Sequence, residues 1–321
     1  MPCTAVSFVL TVYNKRPYLA EVLASVAEQR GSFKREVIIV DDGSTDGSRE
    51  LIESLAPRLP GFRLIVQDNQ GPSVATNRGL SAASMPVVKL LDGDDLLAPC
   101  GTLSLIEGME RLGVEVMIGH GRPYTPGQKP VWSNPGRIPP FPALRALPDP
   151  LASIIRRMWF TPSNMLIRRD ALQQSGGCDE RVFVQDYSLA LRLARLFRFG
   201  VIDSAVFAAP EPEAIDADRV SSNKVQILHD LNLALLLFLE DWPDLPAHYR
   251  RLAWRRMIGR SWKWARREAG RPFWSRELAL CLAAQVPWRA HEICWEFLET
   301  FIASGEVRRR HTPGFSRAAA T

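Results

Sequence analysis

The sequence lacks the features that mark membrane-spanning, disulfide-bonded and phosphate-loop proteins. No apolar run approaches the ~18 residues needed to cross a bilayer, because the best stretch, Leu231–Leu239, contains Asn232. The five cysteines are odd in number and never spaced as CxxC, which favours reduced thiols over disulfides or a zinc site. GxxxxGKS/T is absent and GxGxxG is incomplete, which disfavours a P-loop kinase and a dinucleotide-dependent enzyme.

The chain also lacks the compositional signs of disorder, repeats or export. Its 321 residues, 46% of them hydrophobic and 23% charged, suit one large or two average globular domains. No repeat of solenoid length occurs. Because the first residues, MPCT, have no basic segment of the kind that opens a signal peptide, we expect a cytoplasmic protein.

Positive charge and tryptophan are concentrated in the carboxyl-terminal third. Residues 246–276 contain ten basic side chains and one acidic one, and seven of the nine tryptophans follow residue 240. The closely spaced prolines of Pro210–Glu213 fit neither a helix interior nor a central strand, so they mark a linker. We therefore predict one domain over residues 1–210 and a helical, basic, tryptophan-rich region over residues 211–321.

Strands and helices alternate through the first domain. The apolar run Ala5–Tyr13 predicts a strand buried on both faces, and Pro17–Gln29 has apolar residues at helical spacing. Such alternation predicts an α/β fold with a Rossmann-like, mostly parallel sheet flanked by helices, which binds ligands at the carboxyl ends of its strands. It continues with predicted strands at Glu36–Val40, Phe62–Val66, Val87–Leu91 and Val114–Ile118, and with helices at Asp46–Leu55, Ser73–Ala83 and Thr102–Leu112.

Carboxylates are concentrated where two of these strands end. Asp41 and Asp42 follow one strand, and the sequence DGDD at residues 92–95 follows another. Carboxylates packed this closely repel one another, so they persist together with a cation, and oxygen ligands favour Mg²⁺ or Mn²⁺ over zinc. Taken alone, DGDD also fits a polar turn, but its position after the apolar run Val87–Leu91 favours a metal site.

Five segments of the first domain carry motifs in a fixed order. Four of them are TVYNK at residues 11–15, IIVDDGSTD at 38–46, GPSVATNRG at 71–79 and DGDD at 92–95. Together they resemble the inverting glycosyltransferases of family 2, whose nucleotide-sugar-binding fold is called GT-A. The fifth segment, residues 163–192, resembles the acceptor-side region of that family. The resemblance covers residues 4–205 and implies a nucleotide-sugar-binding half over residues 1–98 and an acceptor half over residues 99–210.

The same resemblance implies a site for a UDP-linked donor. Asp42 would contact the edge of the uracil-like base, Tyr13 would stack on its ring, and Thr11 would also contact the nucleotide. The segment 218–224 would close on the donor, with Arg219 contacting the diphosphate. The implied ligands of a Mg²⁺ or Mn²⁺ ion bridging the two phosphates are Asp92 and Asp94, which match the family's DxD motif, and the adjacent Asp95.

Asp186 is the candidate general base. It matches the aspartate of the family's Glu-Asp pair, which takes the proton of the acceptor hydroxyl. It precedes a predicted helix, Tyr187–Phe197, whose dipole is expected to favour the ionised carboxylate, although a simple helix cap is the alternative. Two positions depart from the family, because Gln185 replaces the usual glutamate and Thr76 stands where an arginine is common.

The segment Trp254–Arg267 predicts a basic amphipathic helix. At 100° per residue its apolar side chains lie around Trp254, on the side opposite its basic residues. Such a helix fits peripheral contact with an anionic membrane, and the alternative is that its apolar face packs on a helix at Val225–Glu240. No nucleic-acid-binding fold is evident, so nucleic acid is not an expected partner. The expected cationic face contains Arg255, Arg256, Arg260, Lys263, Arg266 and Arg267.

The resemblance implies a metal-dependent inverting glycosyltransferase in the cytoplasm, and the basic helix adds peripheral contact with the inner face of the membrane as one of its two alternatives. Such an enzyme would transfer a sugar to a hydroxyl of a surface glycan or lipid-linked acceptor, as in polysaccharide biosynthesis of the cell envelope. The proline-rich stretch Pro123–Pro150 is a candidate lid. Two alternatives are a non-catalytic nucleotide-sugar or glycan binding module of the same fold and a sugar-phosphate nucleotidyltransferase, although Tyr13–Pro17 lacks the glycine-rich loop expected of the latter.

Overall fold

A computed structural model describes residues 5–128, 130–132, 144–157, 159–211, 223–284, 289–305 and 307. The chain divides into two compact units. The first comprises residues 1–178 and 185–217, and the second comprises residues 179–184 and 218–321. The six residues 179–184 therefore group with the carboxyl-terminal helices, although the chain on either side of them belongs to the first unit.

The amino-terminal half of the first unit is a parallel sheet with helices between its strands. The apolar runs seen in the sequence become strands whose side chains are buried on both faces, as expected for parallel strands. The strands lie in the order β3-β2-β1-β4. They are β1 (Ala5–Val12), β2 (Lys34–Asp41), β3 (Arg63–Val66) and β4 (Val87–Asp92), connected by α1 (Arg16–Ala27), α2 (Ser48–Leu55) and α3 (Pro72–Ala82).

The second half of this unit extends the sheet with strands of both directions. The order continues from β4 through β8, β6 and β9 to β5, and β7 pairs with β9. Among the strand pairs of the described residues in this half, only β6 and β9 are parallel, so the expected α/β fold is confirmed but the sheet is mixed. The elements are β5 (Leu96–Leu97), α4 (Gly101–Leu112), β6 (Val116–Tyr124), β7 (Leu144–Ala146), α5 (Pro150–Arg156), β8 (Met165–Arg168), α6 (Arg169–Ser175), α7 (Gln185–Leu196) and β9 (Phe199–Pro210).

The proline-rich stretch Pro123–Pro150 is only partly described. Its first residues complete β6, and Leu144–Ala146 form β7 against β9. Residues 129 and 133–143 lie outside the described part of the chain, as do residues 212–222, which include the second half of the predicted linker and Arg219.

The second unit is helical, as expected. It contains α8 (Lys224–Asp241), α9 (Ala247–Arg267), α10 (Arg276–Ala283) and α11 (Ala290–Ile302). Asn223 caps α8 by accepting a hydrogen bond from the Gln226 amide at 2.9 Å. One small core joins Val225 to Trp264, Ala265 and Phe301, and a second joins Leu280 to Ile293 and Phe297. No helix within the described residues is long and apolar enough to span a membrane.

The apolar face of α9 is turned into this helical core. Met257, Ser261 and Trp264 are buried, and the Ser261 hydroxyl accepts a hydrogen bond from Asn232 Nδ2 at 2.9 Å. The alternative in which this face packs on the preceding helix is therefore correct, and the face is not available to a bilayer. The prediction that Arg260 lies on the exposed cationic face was wrong. Its side chain is buried, and its guanidinium donates to Asn232 Oδ1 at 2.8 Å.

Candidate active site

The polar residues predicted at the strand ends share one edge of the sheet. Thr11 on β1 lies in register with Asp92 on β4, and Val12 lies in register with Asp41 on β2. The backbone amide of Asp42 continues this pairing by donating to the Val12 carbonyl at 2.8 Å. The structure thus brings Thr11, Asp42 and Asp92 together, as the sequence predicts for parallel strands.

The TVYNK motif ties the loops after β1 and β2 to each other. Asn14 adopts a positive φ of 50°, which asparagine tolerates better than most residues. Its side-chain oxygen accepts from the Thr45 amide at 2.8 Å, and its own amide donates to Ser44 Oγ at 3.0 Å. Tyr13, immediately before it, is 46% exposed. Its ring is therefore open to a ligand.

Asp42 is buried and already carries three hydrogen bonds. Its carboxylate accepts from Gln67 Nε2 at 2.6 Å and from the amides of Gln70 and Gly71 at 2.8 Å each. An ionised carboxylate has about four acceptor positions, so one is left for a ligand. Asp42 therefore holds the loop before α3 as well as standing at the expected base-binding position.

A cavity of about 510 Å³ adjoins the end of β2. Its walls carry both signs of charge, with two arginines and two aspartates, and they are mostly polar. The lining residues are Asp41, Gly43, Ser44, Arg49, Val66, Gln67, Asp68, Gln70 and Arg78.

The DGDD turn is packed tightly against the end of β1. A Cβ atom on Gly93 would lie 3.0 Å from the Thr11 carbonyl oxygen, so glycine allows this close approach. The Asp94 carboxylate pairs with Lys15 Nζ at 2.6 Å, and the Asp94 carbonyl accepts from the Tyr124 hydroxyl at 3.0 Å. Sequence reasoning missed Lys15 as a partner, although it belongs to the TVYNK motif.

Beneath the turn, a buried lysine faces two carboxylates. Lys89 is fully buried in β4 and donates to the carbonyls of Leu90 and Ser163. Burial lowers the pKa of Lys89 to about 7, against the opposing effect of Asp95 and Asp92. Burial and repulsion from Asp92 raise the pKa of Asp95, whereas a hydrogen bond from Ser163 lowers it. A lysine inside the apolar run VVKLL was the sequence signal for this group, and it was overlooked.

The predicted metal ligands do not form a closed cage. In the described part of the chain, no three histidine, cysteine or acidic side chains converge on one point. The donor set is nonetheless all oxygen, and repulsion between Asp92 and Asp95 leaves negative charge that a cation would relieve. These residues fit an ion such as Mg²⁺, which binds through one or two carboxylates and takes its other ligands from phosphate and water.

Asp186 begins α7 in a half-buried position. Burial raises the pKa of its carboxyl to about 7, the Tyr187 amide opposes this through a hydrogen bond of 2.8 Å, and the charge of Asp92 adds to it. The start of the helix does favour the ionised form through the Tyr187 amide, but desolvation has the larger effect, so the net shift of the pKa is upward. A carboxyl that titrates near neutrality suits a general base.

The two departures from the family pattern contact each other. Thr76 on α3 donates from Oγ1 to Gln185 Oε1 at 2.7 Å, and this contact is buried. Gln185 Nε2 in turn donates to Asp92 Oδ1 at 3.3 Å. A neutral pair thus connects α3 to the helix that carries Asp186 and to the first aspartate of DGDD.

The sequence matches a family model and curated relatives over part of its length. The family model described as Glycosyl transferase family 2 matches residues 7–176. An uncharacterized glycosyltransferase of Nostoc sp. is 37% identical over 116 residues, which cover 36% of each chain. The succinoglycan biosynthesis protein ExoO of Rhizobium meliloti is 32% identical over 114 residues, or 35% of this chain and 32% of that protein. The chain spans only about a third of the length of these curated relatives.

Solved structures resemble the whole chain more broadly. S. aureus TarS 1–349 in complex with UDP-GlcNAc matches with a TM-score of 0.66 and 19% identity, covering 94% of this chain and 91% of that one. The mannosyltransferase PcManGT of Pyrobaculum calidifontis, in complex with GDP-Man and Mn²⁺, matches with a TM-score of 0.52 and 18% identity, covering 94% and 85%. At such identities the likeness shows the fold, and the family model covers more than half of the chain. The chain therefore belongs to glycosyl transferase family 2.

Proposed function

We propose that this protein is a metal-dependent, inverting glycosyltransferase that transfers a sugar from a UDP-linked donor to a hydroxyl of a surface glycan or lipid-linked acceptor. One observation carries the proposal. Gln185, the residue before the candidate base Asp186, donates to Asp92 at the candidate diphosphate site. One short segment therefore links the group that takes the proton to the group that receives the leaving phosphate.

Asp186 would act on the acceptor. The hydroxyl of the acceptor has a pKa far above neutral, so a base must take its proton as the glycosidic bond forms. Such general-base catalysis typically contributes ~10²–10⁴-fold to the rate. A pKa of about 7 leaves Asp186 substantially ionised at neutral pH while keeping its affinity for the proton high. Attack from the face opposite the diphosphate inverts the anomeric carbon in a single displacement.

The strand ends would hold the donor. Thr11 and Tyr13 would contact the nucleotide, and Asp42 would use its remaining acceptor position on the base. Asp92, Asp94 and Asp95 would hold Mg²⁺ or Mn²⁺, which as a Lewis acid stabilises the charge of the leaving diphosphate. Arg219 would contact the same diphosphate. The UDP-GlcNAc complex of TarS and the Mn²⁺ complex of PcManGT support this choice of donor and ion.

The acceptor class is supported by relatives named for surface polymers. ExoO is named for succinoglycan biosynthesis, and GgaA of Bacillus subtilis, 37% identical over 94 residues (28% of this chain and 21% of GgaA), for minor teichoic acid biosynthesis. To act on such acceptors, the enzyme would lie in the cytoplasm, in peripheral contact with the inner face of the membrane.

The general base is tested by Asp186→Asn, with Asp170→Asn as the control. Both aspartates lie in the first turn of a helix, but Asp170 is exposed on α6. We expect Asp186→Asn to cut sugar transfer by ~10²-fold or more with donor affinity within a few fold, since only the base is lost. Asp170→Asn should be unaffected. Near-normal turnover of Asp186→Asn would place the base elsewhere.

The metal site is tested by calorimetry of UDP binding with and without Mn²⁺. Asp94→Ala should abolish the increase in UDP affinity that Mn²⁺ causes, whereas Asp203→Ala, at an exposed carboxylate, should retain it. Equal metal dependence in both variants would contradict the assignment.

Donor binding without any UDP release would favour the non-catalytic module, and formation of a UDP-sugar from UTP and a sugar phosphate would favour the nucleotidyltransferase.

A further inference from the structure

Two aromatic side chains protrude together between α9 and α10. Trp274 is 85% exposed and Phe273 is 51% exposed, and their rings meet edge to face with centroids 5.3 Å apart. Phe273 also meets the ring of Trp262 on α9, at 6.0 Å. Exposing large apolar side chains to water is unfavourable relative to burying them. Two that lie side by side on a surface therefore indicate a contact with another phase or molecule.

A cation is built into this aromatic group. The guanidinium of Arg266 lies 5.9 Å from the Trp262 ring centroid and 5.7 Å from that of Phe273. The same group donates to the Arg271 carbonyl at 2.5 Å, and the Arg271 amide donates to the Ala265 carbonyl at 2.8 Å. The segment that carries Phe273 and Trp274 is thereby held against the end of α9.

The exposed side of α9 continues the positive charge away from this group. On a helical wheel of α9 with 100° per residue and Arg266 at 0°, the exposed basic residues of the helix fall between about −60° and 100°. Trp262 falls within the same sector. In the described residues, no ion pair joins Arg255, Arg256, Lys263 or Arg267 to an acid. The exposed basic residues are Arg251, Arg255, Arg256, Lys263, Arg266 and Arg267.

We propose that this exposed face of α9 and the Phe273–Trp274 tip dock the protein on an anionic bilayer. Charge complementarity selects the occupant: the basic residues would meet anionic lipid headgroups, and tryptophan favours the headgroup level of a membrane. The mode differs from that of an amphipathic helix lying in the bilayer, because the apolar face of α9 is buried. This docking rests on the membrane contact of the proposed function and does not depend on its catalytic part.

The test is sedimentation of the full chain, without donor, with vesicles of phosphatidylcholine alone or containing phosphatidylglycerol. Each basic residue near an anionic surface strengthens binding by ~5-fold, so Arg256→Gln, Lys263→Gln and Arg267→Gln together should weaken it by ~100-fold. A charge-matched control changes Arg30, Lys34 and Arg58, exposed in the first unit, to Gln. Trp274→Ser tests the tip, and because Trp274 is 85% exposed this change removes no side chain from a core.

We expect the wild type and the control to sediment with anionic vesicles at low salt and neither to sediment with phosphatidylcholine alone. The triple variant should remain in solution, and Trp274→Ser should bind several-fold more weakly. No sedimentation of the wild type, or an equal loss in the control, would overturn the proposal. Unchanged binding by Trp274→Ser would overturn insertion of the tip. UDP release by the same preparations, measured separately, distinguishes failure of this inference from failure of the catalytic assignment.

Discussion

The carboxyl of Asp186 combines partial burial with the charge of a neighbouring aspartate, and both raise its pKa, to about 7. A general base works only when ionised, so we expect transfer to fall as pH decreases through this value and to level off above it. A divalent ion that neutralises Asp92 would remove one cause of the raised pKa. The acid limb of the pH profile of kcat should therefore move to lower pH as Mg²⁺ is raised, and a limb that does not respond to the ion would contradict this.

The same pKa predicts the effect of Asp186 on stability. A carboxyl whose pKa is raised in the folded state binds its proton more tightly there than in the unfolded chain, so its contribution to stability is lost as pH rises toward about 7. Asp186→Asn removes the buried charge and should raise Tm at pH values above about 7, with little effect in acid. Thermal melts of both proteins across pH check this. A variant less stable than wild type above neutrality would show that the ionised carboxylate stabilises the fold.

Thr76 and Gln185 offer a test of coupling at the site. Gln185→Glu should lower transfer at neutral pH, because a second carboxylate beside Asp92 raises the pKa values of both Asp92 and Asp186. Thr76→Arg should also lower it, by burying a charge that lacks a partner. In the double variant the two new charges are opposite and can pair. Its loss of kcat/KM should therefore be smaller than the product of the two single losses, by a coupling free energy of ~0.5–3 kcal/mol. Strictly multiplicative losses in kcat/KM would contradict the coupling.

At this scale the sequence predicted the identities of polar residues better than their partners. Thr11, Asp42 and Asp92 were found because strand ends of a parallel sheet meet at one edge. The Thr76–Gln185 contact joins residues 109 positions apart, and its partner cannot be inferred from local pattern. Arg260 was misplaced because a helical wheel assigns charge to the exposed side, whereas Asn232 supplies a buried acceptor that only packing reveals.

Among the elements, the segment 179–184 separates chain order from packing. Arg181 pairs with Asp179 at 2.7 Å and with Asp241 on α8 at 2.5 Å. The Phe183 amide donates to Asp230 Oδ2 at 3.1 Å, and the other oxygen of Asp230 accepts from Gln226 at 2.9 Å. Helix α7, which carries the proposed base, begins two residues after Phe183. The segment that leads into this helix is thus bonded to α8 of the second unit.

This arrangement predicts that Asp230 positions Asp186 through the chain. Asp230→Ala removes the hydrogen bond that Asp230 Oδ2 accepts from the Phe183 amide, and we expect kcat to fall several-fold with donor KM unchanged, while Asp230→Asn, which keeps an acceptor oxygen, retains more activity. Asn232→Ala is the control, since it removes buried hydrogen bonds from the same helix but none to this segment. Assays well below Tm check the split. Equal losses in Asp230→Ala and Asn232→Ala would indicate general destabilisation.

The strands and helices themselves were largely predictable, because buried parallel strands have long apolar runs and the intervening helices have regular spacing. The mixed second half was not. The strand β5 has two residues and β7 has three, too short for any periodicity, and their partner β9 pairs in both directions. The segment 179–184 also carried no compositional change that would assign it to the second unit.

Across the whole molecule, the described residues assigned to catalysis lie in the first unit, and those assigned to the bilayer lie in the second. The segment 179–184 belongs to the second unit, although it directly precedes the helix that carries the proposed base. The surface residues Arg256, Lys263 and Arg267 make no described contact with that segment. Changing them should therefore separate access to a membrane-borne acceptor from the chemistry of transfer.

The last prediction compares one variant on two acceptors. With Arg256, Lys263 and Arg267 changed to Gln, transfer to a soluble acceptor should stay within ~2-fold of wild type, whereas transfer to a lipid-linked acceptor in anionic vesicles should fall by ~10-fold or more, because less enzyme is held at the surface. Arg260 is left unchanged, since its buried bond to Asn232 would confound the result. Raising salt to about 1 M, where screening acts over ~3 Å, should reduce wild type to the rate of the variant on vesicles. Equal loss on both acceptors would instead place these cations at the acceptor site.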